Sequence, residues 1–143
     1  LSSHVGLSVL AHLRSAATEL GEAAARCEHA VRAALEGQFM GVCAVHGKGL
    51  MLAVRFDDGL LTELSVYANT IRPVSCAGVP PLLLLHAYLL VEHGVRARPT
   101  CDALMLDVPA VASDESVRRV CTALTGLVGA LATEAFEEIV GCW

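Results

Sequence analysis

The side chains with the most chemical potential in this 143-residue chain are its six cysteines (Cys27, Cys43, Cys76, Cys101, Cys121, Cys142) and its six histidines. A zinc site needs such residues in close pairs, because four ligands must converge on one ion. No such pairing occurs. Cys43 and His46 stand three apart in a strand-like run and fall on opposite faces, while Cys27 and His29, two apart on a helix, diverge by about 200°. His86 and His93 share a helical face but lie about 10 Å apart along its axis. No metal ligand and no cofactor is expected, and His86 reads as a core histidine hydrogen-bonded to backbone.

A thiol nucleophile needs a base and an orienting acid, which can be distant in sequence. Cys76, in the loop Val74-Ser75-Cys76-Ala77-Gly78, is the candidate, with His46 or His93 as its base, but no G-x-S-x-G elbow or similar local signature accompanies it. Gly47-Lys48-Gly49 is too short for a phosphate-cradling loop and opens no helix. It reads as a hairpin turn, and Asp57-Asp58-Gly59 as another. Arg72, Arg96, Arg98, Arg118 and Arg119 could gather into a small basic patch. With aromatic residues at only 4%, that patch suits an acidic protein surface better than RNA.

The elements that must position these residues follow from periodicity. From 8 to 36 there is no proline, and Ala, Leu, Glu and Arg dominate, so one long helix is expected. Leu10, Ala17, Ala24 and Val31 recur every seven residues, as do Leu13, Leu20, Cys27 and Ala34, giving an a/d stripe over four heptads. Such a stripe serves either as a seam between chains, with Leu10, Leu13, Ala17, Leu20, Ala24, Cys27 and Val31 as its interface residues, or as cover for the domain's own sheet. After Gly37 the period changes to two, and Phe39–His46, Leu50–Phe56 and Leu60–Ala68 read as a three-stranded antiparallel meander. Pro80-Pro81 opens a helix over Leu82–His93 that is apolar nearly all round, with Gly94 ending it. A fourth strand follows at Ala103–Val108, and Ser113 caps a final helix running to Ile139. In that helix Gly126 and Gly129 read as points of close packing.

The fold class is therefore α+β: a long N-terminal helix, a meander plus a fourth strand, and two further helices packed on the sheet. One domain over 1–143 is expected, with the heptad helix at 8–36 and a globular part at 39–143. Apolar residues make up 55% of the chain and charged residues only 17%. Mean hydropathy is +0.57. That balance excludes intrinsic disorder. A net charge of −5 argues against nucleic acid or anionic lipid as the main partner. The longest apolar stretch is too short to span a bilayer. The scattered cysteines read as reduced thiols in a cytoplasm-like, intracellular compartment. Leu1, rather than Met, at the start reads as a piece excised from a longer chain.

The element order, the acidic balance and the apolar helix after a strand ending in Leu106-Asp107-Val108-Pro109 resemble the small dimeric secretion chaperones of the type III class. That resemblance implies an α+β homodimer that wraps an extended effector segment and performs no catalysis. A long heptad helix feeding a meander also looks like the coiled-coil-plus-RWD modules of kinetochore-type scaffolds. Both imply a non-enzymatic protein–protein interaction and dimerisation module, with a protein partner or a second copy on its apolar surfaces. The alternative from another class is a small cysteine-dependent enzyme.

Overall fold

The computed structural model describes residues 2–109 and 112–143, and the side chains of all these except 2–5, 12 and 13. The expected long helix forms as two segments, α1 (Ser2–Ser15) and α2 (Ala17–Leu35). They are parted at Ala16, whose φ −94° and ψ 3° lie in the bridge region. The helix of 8–36 is thus interrupted rather than continuous. From α2, Cys27, Val31 and Leu35 enter the core.

Two strands follow, β1 (Cys43–Lys48) and β2 (Met51–Phe56), joined by the two-residue loop Gly49-Leu50. Gly49 has φ +64°, as the first central residue of a hairpin turn of this kind requires. Gly47 is needed for a second reason: a Cβ there would lie 2.2 Å from the Met51 carbonyl oxygen.

The third strand of the expected meander is instead a helix, α3 (Asp58–Ile71). Asp57 adopts an extended conformation and its carboxylate accepts a hydrogen bond from the Leu60 N–H at 3.1 Å, an N-cap that starts a helix. Leu61, Leu64 and Ala68 then face inward at helical spacing, while Val66 is exposed. The meander is a hairpin, and a strand far along the chain completes the sheet.

Helix α4 (Pro81–His93) forms as expected, with proline at its first position. Gly94 closes it at φ +62°, the left-handed conformation usual at a helix end. Val95 N–H then bonds the Leu89 carbonyl at 2.9 Å. A two-residue strand, β3 (Arg98–Pro99), pairs with β4 (Ala103–Asp107), giving an antiparallel sheet of order β1-β2-β4-β3. Ser113 caps α5 (Asp114–Ala132) through the Ser116 N–H. That helix ends earlier than expected. Glu134 takes φ +55°, and the chain turns into the short α6 (Phe136–Val140).

Alternation divides the sheet. Val45, Leu52, Val54, Phe56, Leu104 and Leu106 face the helices, whereas Ala44, His46, Met51, Arg55 and Asp107 are exposed on the other face. Helices α2 and α4 lie on the sheet and α5 closes over both, with Leu84, Leu85, Leu124, Leu127 and Leu131 fully buried between them.

Candidate functional site

The turn after α4 carries the chain back over the sheet edge, and β3 places Arg96 and Arg98 beside β4. These arginines join His86 of α4, together with Ala97, Pro99, Met105 and Asp107, around an open cleft of about 390 Å³. Arg98 Nη2 lies 3.3 Å from Asp107 Oδ2, with both side chains more than half exposed. The two residues are a diagonal cross-strand pair, Asp107 standing two positions along β4 from Met105, the direct partner of Arg98, a spacing that long side chains bridge. Such a pair contributes little to stability and is readily exchanged for another anion. Arg96 has no hydrogen bond or ion pair among the described residues. His86 Nδ1 is buried without a hydrogen-bond partner, so His86 is not the backbone-bonded core histidine expected. Two guanidiniums against one carboxylate leave a cleft suited to holding a carboxylate or phosphate group, because the planar fork matches both in geometry.

The other expected groupings do not assemble there. Of the five arginines, Arg96 and Arg98 share this cleft, Arg119 donates to the His93 carbonyl at 3.0 Å, and Arg118 pairs with Glu115 on its own helix. Arg72 is far off, donating to the Trp143 carbonyl. Cys76 is buried, and its neighbour is Ser75 Oγ at 3.8 Å rather than either histidine. Cys27, Cys43, Cys121 and Cys142 are poorly suited to nucleophilic work, since burial disfavours the thiolate. Burial raises Cys27 and Cys121, and raises Cys43 to about 11. Cys142 is also pushed up to about 11, by burial and then by Glu92. The Glu92 carboxylate lies 3.3 Å from the Cys142 sulfur. No disulfide links the six cysteines, and no cluster of three or more metal-ligating side chains occurs among the described residues.

The heptad stripe divides between two settings. Cys27 and Val31 belong to the domain's own core, Leu20 and Ala24 are half-buried, and Leu10 and Ala17 are exposed. The Leu13 side chain lies outside the described residues.

A second polar network, not legible in the sequence, fixes the hairpin to α2. Arg32 donates to the Val45 and Gly47 carbonyls at 2.8 and 2.9 Å and pairs with Glu28 and Glu36. Glu28 accepts from the Gly49 N–H at 2.7 Å. That backbone bond, followed by Arg32, holds the Glu28 carboxyl below its ordinary range, because both favour the charged form.

No protein-family model and no curated protein matches the chain significantly. Solved structures do. A transaminase from a directed-evolution study by ancestral reconstruction superposes with a TM-score of 0.61 at 25% identity, covering 90% of this chain and 26% of that one. An ornithine aminotransferase from Toxoplasma gondii, with pyridoxal phosphate at partial occupancy in its active site, gives 0.56 at 21% identity over 90% and 26%. A thermostable (S)-enantioselective ω-transaminase from Thermomicrobium roseum gives 0.54 at 21% over 91% and 26%. The chain spans about a quarter of the length of the structures it matches. These neighbours overturn the resemblance to secretion chaperones and RWD scaffolds. With it goes the reading of the chain as a non-enzymatic, coiled-coil dimerisation module.

Pyridoxal phosphate is held in enzymes as an imine of an enclosed lysine. The chain has a single lysine, Lys48, exposed where the β1–β2 hairpin turns. The residues of this chain do not fit that cofactor, and no step through it is derived from them. Among the described residues, no helix is long and apolar enough to cross a membrane.

Proposed function

We propose that this chain is a domain of a transaminase-type enzyme, one that contributes an anion-holding edge to the active site while another part of the enzyme carries the cofactor. The observation behind this reading is the likeness of about nine-tenths of the chain to transaminase structures. The reaction class is amino-group transfer between an amino donor and a 2-oxo acid. In it, Arg98, with Arg96 beside it, holds a reactant's carboxylate by exchanging the exposed Asp107 for it.

The test is amino transfer by the polypeptide that bears this sequence, supplied with pyridoxal phosphate and a panel of amino acids and amines against a 2-oxo acid. Turnover is expected. Arg98→Ala should raise the KM for the 2-oxo acid roughly tenfold to a hundredfold, as loss of a charged hydrogen bond worth about 1.5–3 kcal/mol implies. A polypeptide that transfers no amino group from any donor would overturn the reading.

A further inference from the structure

Helix α1 carries apolar side chains that its own domain leaves uncovered. Leu7, Val9 and Leu10 are 64%, 51% and 63% exposed. At about 3.6 residues per turn these three span an arc of about 160°, with Ala11 beside it and Ser8 outside it. Leu10 also belongs to the heptad stripe whose far end, Cys27 and Val31 of α2, is buried in the domain's own core. An apolar arc of this width on a helix is the mark of a face buried against protein.

We infer that the α1 arc is covered by the cofactor-carrying body of the same transaminase-type enzyme, docked through an apolar surface. This rests on the reading proposed above. The choice of occupant follows from coverage: each matched structure continues for about three-quarters of its length beyond the part this chain superposes on. A domain viewed without that body exposes what the body would cover, and α1 presents three such side chains on one arc.

Amide hydrogen exchange on the intact polypeptide tests it, with amino transfer measured on the same samples. Residues 7–11 should exchange at least tenfold more slowly than an unprotected helix. Leu10→Asp should accelerate them at least tenfold and leave α4 and α5 unchanged, whereas Ser8→Asp, outside the arc, should leave them as they are. Val9→Asp serves as a second variant should Leu10→Asp fail to fold. Free exchange over 7–11 in a polypeptide that still transfers amino groups would overturn this inference alone. Protection that vanishes on dilution would assign the face to a second copy and overturn it equally. Absence of amino transfer would overturn the functional reading instead.

Discussion

Arg32 ties four groups together at one point: two carbonyls of the hairpin and two carboxylates of its own helix. Arg32→Ala should cost about 1–2 kcal/mol in urea unfolding, since hydrogen bonds to a charged group are lost and two carbonyls must find water. Glu28 adds a pH dependence of definite sign. Its folded pKa lies below the unfolded one. Its contribution is therefore present above the ordinary glutamate value, about 4.3, and is lost as pH falls through the lower folded value. The stability difference between the wild type and Glu28→Gln should be largest near neutrality and shrink on acidification; a difference independent of pH would contradict it. This network was invisible in the sequence because its partners are 13 to 21 residues apart and meet only once the hairpin folds onto α2. The local devices were legible because each acts within one turn of chain: Ser113 as a cap, Pro81 as a helix opener and Gly94 as a helix end.

At the scale of elements, α3 is the instructive case. Leu64, Ser65, Val66 and Tyr67 alternate as a strand would, yet Leu61, Leu64 and Ala68 also sit at helical spacing. Short apolar runs satisfy both periods, and the cap decides between them. Asp57→Ala should destabilise the protein by about 1 kcal/mol, with loss of helical signal near α3; an unchanged midpoint would remove the cap from this account. Gly126 does face His93 and Tyr88, but an added Cβ would meet them at 3.6 and 3.8 Å, ordinary contact distances, so the close packing expected there does not demand glycine. Gly129 has nothing within 4 Å of an added Cβ. Gly129→Ala should therefore stabilise α5 by about 0.5–1 kcal/mol, seen as a raised Tm, because helix propensity alone is at stake. A fall in Tm would mean an unseen neighbour.

Across the whole molecule, the α+β class was legible from the change of period at Gly37 and from the apolar helices that follow. Sheet order was not, because β4 joins β2 across more than forty residues of intervening helix and loop. The heptad stripe was ambiguous for a related reason: period alone does not distinguish a seam between chains from a helix that is partly core and partly uncovered. Arg96 and Arg98 could be named as a patch, but their joining with His86 and Asp107 depends on β3 pairing with β4. The central claim is that this chain is the cofactor-free part of a transaminase-type enzyme. Borohydride reduction of the polypeptide bearing it, followed by peptide mass spectrometry, tests that claim most directly. The account predicts a pyridoxyl group on a lysine other than Lys48. A pyridoxyl group on Lys48, or none on any lysine of the active polypeptide, would contradict it.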